Sequence, residues 1–158
     1  MNLSAILVSQ FLAGLEMLKQ TITLCPEDLW NAPQDKNPFW QVTYHALYFV
    51  HEYLAESPET FVPWEKHREV YDFDETQTFE PYDQAALLEY LAFLENHVRE
   101  RLPQLRLDEV EGHGSRSMLT AELQIYSLRH LMVHTGELME RLGARTGANI
   151  DWVGWVHD

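Results

Sequence analysis

One cysteine, Cys25, is all the sulfhydryl chemistry the chain carries, so it can form no internal disulfide and no cysteine-rich zinc site. It precedes Pro26 in a predicted loop and reads as an incidental small residue; a reactive thiol would need a base or a helix terminus beside it. Basic residues are also scarce. Eleven Lys and Arg stand against twenty-five Asp and Glu, a formal charge of −14, which repels phosphate backbones and anionic head groups. Nucleic acid and membrane surfaces are therefore not expected partners. Long apolar runs are missing as well: Gln10, Glu16 and Lys19 interrupt the opening segment, which has no basic lead, so it reads as neither a signal peptide nor a span. A cytoplasmic protein is expected.

What the chain does have is apolar bulk. Hydrophobic residues make up 46% of its 158 positions, with seven Phe, seven Tyr and five Trp, enough to bury one sizeable core, and nothing resembles a linker between two. A single domain over residues 1–158 is predicted.

Leu3, Leu7, Phe11, Leu15, Leu18 and Ile22 recur at intervals of four and three, predicting a helix over about residues 2–22. Asn37-Pro38 is a start signal for a second helix running to Glu56, apolar almost all round and hence central. Asp83 caps a third, with Leu87, Leu91, Leu94, Val98 and Leu102 on one face before Pro103 stops it. The fourth runs from about Met118 to Gly143, with Leu119, Leu123, Tyr126, Leu138 and Leu142 inward. Four amphipathic helices without convincing strands predict an all-α four-helix bundle. The stretch 57–82 is too long for a tight turn, and its Phe61, Trp64, Tyr71, Phe73 and Phe79 are expected to pack on the bundle. It lets the third helix start at the same end as the second, an up-down-down-up arrangement. The tail IDWVGWVHD is expected to pack back through Trp152 and Trp155, or to complete a dimer contact.

His130 and His134 stand four apart, so both imidazoles can reach one ion from one helical face, and they continue the face begun at Leu123. Spacing alone is weak, because eight histidines in a chain of this length give such a pair by chance in about three sequences of ten. A third ligand must come from elsewhere, and both His45 and His51 lie among apolar neighbours on the second helix. Periodicity does not choose between them. His67, His97, His113 and His157 read as solvated. No histidine has a glutamate three residues before it, which removes the di-iron carboxylate class, and Leu131 occupies the place of the zinc-protease glutamate. Glu137 shares the stripe of His134 and is a candidate to orient a ligand, take a proton or bind the ion.

Taken together, YHALYFVHEYL (44–54), the aromatic crossover, EYL (89–91) and RHLMVHTGEL (129–138) resemble the DinB-like superfamily over nearly the whole chain. The resemblance implies an up-down-down-up bundle, commonly a homodimer, in which His45, His130 and His134 bind a divalent ion such as zinc or nickel. It also implies the chemistry of thiol-dependent transferases that use a small thiol cofactor. The leading expectation is thus a metal-dependent thiol transferase acting on a small electrophile. The competing expectations are a non-catalytic metal- or ligand-binding stress-response bundle and a metal-free dimerising bundle.

Overall fold

The computed structural model describes residues 2–73, 78–113 and 116–157, with the backbone alone at 111–113, 116 and 117. The fold is all-α. Its helices are α1 (Leu3–Leu24), the short α2 (Glu27–Trp30), α3 (Phe39–Glu52), α4 (Gln84–Arg101) and α5 (Thr120–Thr146).

The caps follow local chemistry. Asn2 Oδ1 accepts from Ala5 N at 3.2 Å to start α1, and Asp83 Oδ1 accepts from Ala86 N at 2.7 Å to start α4. The start of α5 has no side-chain cap, and its first backbone N–H groups are met instead by preceding carbonyls: Thr120 N donates to Glu109 O and Ala121 N to Leu107 O. A two-stranded antiparallel hairpin, β1 (Val110–His113) and β2 (Arg116–Leu119), turns the chain into that position. No strand was expected here, and the residues expected to begin the last helix, Met118 and Leu119, belong to β2. Leu119 is consequently exposed rather than inward.

Two helix ends also differ from expectation. The predicted end of the second helix was Glu56, but α3 stops at Glu52 because Leu54 N and Ala55 N bond three residues back, tightening the chain as it leaves the helix. Gly143 does not end α5; the helix runs on to Thr146, and Gly147, at φ 74°, is the left-handed cap.

Each of α3 and α1 packs against both α4 and α5, and the core lies between them. Phe11, Leu15, Leu18 and Ile22 of α1 meet Leu87, Leu91, Leu94 and Val98 of α4 and Leu131, Leu138 and Leu142 of α5, all buried. Gly14 lets α1 approach α5 closely, since a Cβ there would stand 2.9 Å from Met132 Sδ and 3.2 Å from Leu131 Cδ2. Every residue of α3 except Phe49 and Glu52 is buried, the result of being covered from several sides. Among the described residues no helix is long and apolar enough to cross a membrane.

The described part of the crossover packs as its aromatics predict. Trp64 is buried and stacks on Tyr90, while Tyr71, Phe73 and Phe79 are half-buried against the core. The tail returns along α1, where Gln10 Nε2 donates to Gly154 O at 3.0 Å and Asp151 N donates to Gln20 Oε1 at 3.0 Å. Trp152 and Trp155 do not pack, however. They are 79% and 66% exposed, because Ile150 and Val156 are the tail residues turned towards the core.

Candidate metal centre

On α3, Gln41, His45 and Phe49 are spaced by four and share one stripe, which the crossover covers. Two contacts fasten that cover. Gln41 Nε2 donates to Val70 O at 3.2 Å and to Asp72 O at 3.0 Å, and the ring of Tyr71 stacks on Tyr48 at 4.0 Å and 5°. The backbone between them is thereby fixed over His45, where Tyr71 O lies 2.6 Å from Nδ1. A carbonyl only accepts, so Nδ1 carries the proton and a neutral His45 presents its Nε2 lone pair inward. Burial pushes the His45 imidazole below its ordinary value, nearby His134 acts the same way, and the Tyr71 carbonyl opposes them. It is therefore neutral at pH 7, the form that binds metals.

His130 and His134 project one turn apart from α5. They flank its buried stripe of Gln124, Leu131, Thr135, Leu138 and Leu142 rather than continue it, and both are half-buried. His134 Nδ1 is 3.2 Å from Glu137 Oε2. A carboxylate also only accepts, so this ring too is set with Nδ1 protonated and Nε2 turned inward. The three Nε2 atoms converge: His130 Nε2 lies 3.1 Å from that of His45 and 3.2 Å from that of His134. The ligand atoms of all three lie within 4.8 Å of one another.

Nitrogen atoms sharing a tetrahedral ion at 2.0–2.1 Å stand roughly 3.3 Å apart, so the spacings fit. The protons fit as well. With His45 and His134 both presenting lone pairs, a proton on His130 Nε2 can serve only one of them, whereas a cation at the centre serves all three. An all-imidazole set suits a borderline ion such as zinc or nickel better than calcium or magnesium, which take oxygen. The surroundings are aromatic: Phe73 stacks on His45 at 4.4 Å, and Phe49 stands edge-on to His45 at 4.8 Å and to His130 at 5.3 Å.

Behind His134 runs a chain of charges. Glu137 Oε1 accepts from Arg141 at 2.7 Å; Arg141 also reaches Asp35 Oδ2 at 3.3 Å and Asn37 O at 2.8 Å; Asp35 Oδ1 accepts from Arg145 at 2.6 Å. The loop before α3 is thus tied to the helix bearing two of the histidines. Beside it opens a cleft of about 400 Å³ lined by Asp35, Lys36, Asn37, Gln41, Phe73 and Phe79, polar groups on an aromatic floor. Replacing Glu137 by Ala frees the His134 ring to rotate, and a 10–100-fold weaker apparent zinc affinity is expected in a competition titration.

Of the two candidates on the second helix, His45 joins the pair and His51 does not. His51 is buried elsewhere, with Nδ1 3.0 Å from the Tyr90 hydroxyl. His67 and His97, expected to be solvated, are half-buried: His67 Nδ1 pairs with the Tyr44 hydroxyl at 2.7 Å, and His97 packs on His51. His157 is exposed as expected, and the side chain of His113 lies outside the described residues. Tyr126 is half-buried with its ring parallel to that of His130. Cys25 is buried, its thiol pushed up to about 12 by burial and by Asp28 against Arg141, which makes it inert. Asp35, Arg141, Arg145 and the Tyr71 carbonyl are additions to the sequence reading. Arg141 and Arg145 had a signal, since they stand four and eight residues after Glu137 on the same stripe. Asp35 and the Tyr71 carbonyl come to the site only through the fold.

No protein-family model, no curated protein and no solved structure matches the chain.

Proposed function

We propose that this chain is a divalent-metal-binding protein of the DinB-like kind, an up-down-down-up four-helix bundle whose ligands are His45, His130 and His134. On this reading it is a cytoplasmic homodimer that works as a metal-dependent thiol transferase, joining a small thiol to a small electrophile. The observation that carries it is the convergence of three Nε2 atoms, two of them with the opposite ring nitrogen pinned to a pure acceptor.

An ion bound there, zinc or nickel by its nitrogen donors, supplies Lewis acidity that favours a thiolate over a thiol. The protein's own part is to hold three neutral imidazoles, which leave the ion's charge uncompensated and an anionic fourth partner favoured. Tyr71 and Glu137 keep the rings turned, and Phe49 and Phe73 pack against His45 and His130. Cys25 cannot be the sulfur donor, being buried and protonated, so the thiol comes from solution. On this reading the electrophile enters by the cleft between Asp35 and Phe79, which shares Phe73 with the surroundings of His45. The exposed Trp152 and Trp155 support self-association.

Metal analysis of untagged protein tests the first part. About one equivalent of zinc or nickel is expected, lost in His45→Ala and His134→Ala, and a metal-free wild type purified without chelator sinks it. Turnover with a panel of common cellular thiols and a monohaloalkane or epoxide tests the second. Activity that vanishes in His130→Ala supports the transferase, while full metal occupancy without turnover of any pair leaves a non-catalytic metal-binding bundle.

A further inference from the structure

A second site lies at His51, on the face of α3 turned to α4. Two adjoining cavities, about 320 Å³ and 500 Å³, share His51, Val62 and His97 as walls. Their remaining apolar lining comes from Ala55 and Phe61 in the first and from Pro63, Trp64 and Phe93 in the second. Around His51 the rings stand edge-on, His97 at 4.9 Å, Phe61 at 5.0 Å and Phe93 at 5.1 Å. The proposed metal centre uses none of these residues.

His51 itself is only 4% exposed, and its hydrogen-bonding state can be worked out. Burial raises the Tyr90 hydroxyl well above its usual range, so it keeps its proton, and among the described residues its hydrogen-bond partner is His51 Nδ1. Were Nδ1 to donate, that buried hydroxyl proton would have no acceptor. Tyr90 therefore donates, Nδ1 accepts, and a neutral His51 carries its proton on Nε2. Burial, then His97 and His67, push the imidazole down to about 3, so it is neutral throughout the physiological range. No described residue bonds Nε2, and His51 lines both cavities. A nearly buried donor thus lacks an acceptor where there is room for one.

The rim decides the ligand's charge. Arg101 already faces Glu56 at 3.6 Å and Lys66 faces Glu89 at 2.5 Å, with Glu65 in addition, so an anion would meet paired bases and surplus acid. We propose that the His51 groove binds a small neutral aromatic molecule that carries one hydrogen-bond acceptor, its ring against Phe61, Phe93 and Trp64 and its acceptor on His51 Nε2–H. An aryl ketone or aryl amide has that chemistry.

Acetophenone is the probe, added to the full chain and followed in long-range ¹H–¹⁵N spectra of the imidazoles. The free protein is expected to have His51 protonated on Nε2, and saturable binding with a Kd of about 1 mM or tighter should move that resonance while His45, His130 and His134 stay still. Val62 is 77% exposed at the shared rim, so Val62→Trp blocks the mouth without touching the core and should weaken binding at least tenfold. Benzoate should bind at least tenfold more weakly than acetophenone. The proposal is overturned by a His51 protonated on Nδ1, by the absence of saturation, by unchanged affinity in Val62→Trp, or by benzoate binding as well.

Discussion

Zinc at about one hundred times its Kd should raise the thermal midpoint of the metal-free protein by roughly 5–10 °C, and in His130→Ala the rise should vanish. The size follows from mass action. A ligand at that excess, bound only by the native state, adds about 2.7 kcal/mol, and a domain of this length gains about 2–4 °C for each kcal/mol. His130 is the informative position because its Nε2 is the one that lies within 3.2 Å of both others. Its removal leaves His45 and His134, which come from different helices and lack their common neighbour. A two-ligand remnant does not hold zinc at that concentration. The control is His51→Gln, which carries the same count of histidines as His130→Ala but should keep the full zinc response. A rise of equal size in His130→Ala would show that zinc binds elsewhere and would remove the three-histidine centre. Scanning calorimetry with and without chelator reads both outcomes.

The sequence made α1 and α4 legible because apolar residues at four-three spacing have one physical meaning when they run for five turns. It made the metal-ligand candidates legible for a narrower reason. His130 and His134 are four apart, and four apart is contact on any helix, whichever way it is turned. Their burial was not legible: counting from Leu123 puts them on the inner face, but the true stripe through Leu131, Leu138 and Leu142 leaves them on its flank, where His130 meets Phe49 of α3 and His134 meets Phe73 of the crossover. His45 and His51 could not be separated by periodicity because almost all of α3 is buried, so both sides look alike in composition. What separates them is the partner each finds across the chain, His130 for one and Tyr90 for the other. The hairpin at 110–119 escaped because its strands are four residues long and carry Gly, Glu and Arg, which have no strand signature. It returns the chain so that Leu107 and Glu109, just before β1, meet the first N–H groups of α5, an arrangement that no local pattern encodes.

Acid should destabilise the protein through His51 as soon as pH falls below about 6.5. The folded-state value is depressed to about 3, from an ordinary 6.5, so the unfolded chain takes up a proton that the folded chain refuses. The stability His51 contributes is fully present above pH 6.5 and is lost progressively as pH falls from 6.5 towards 3. Between pH 7.5 and pH 5 one such group accounts for about 2 kcal/mol, since each pH unit below 6.5 approaches 1.4 kcal/mol. The cause lies in the site: the ring is enclosed by Phe61, Phe93, His97 and Tyr90, and among the described residues no carboxylate hydrogen-bonds it, so a charge on it would be desolvated and unpaired there. His45 and His97 are also lowered, by burial first, and add to the slope of the wild type. The measurement is therefore a difference. Urea unfolding of chelator-treated wild type and His51→Gln, at several pH values from 7.5 to 5, should give curves that converge by about 2 kcal/mol towards acid, because glutamine can still accept from Tyr90 but does not titrate. Parallel curves would mean that His51 already carries a proton in the folded protein near pH 6, and the neutral donor inferred for the groove would fall with it.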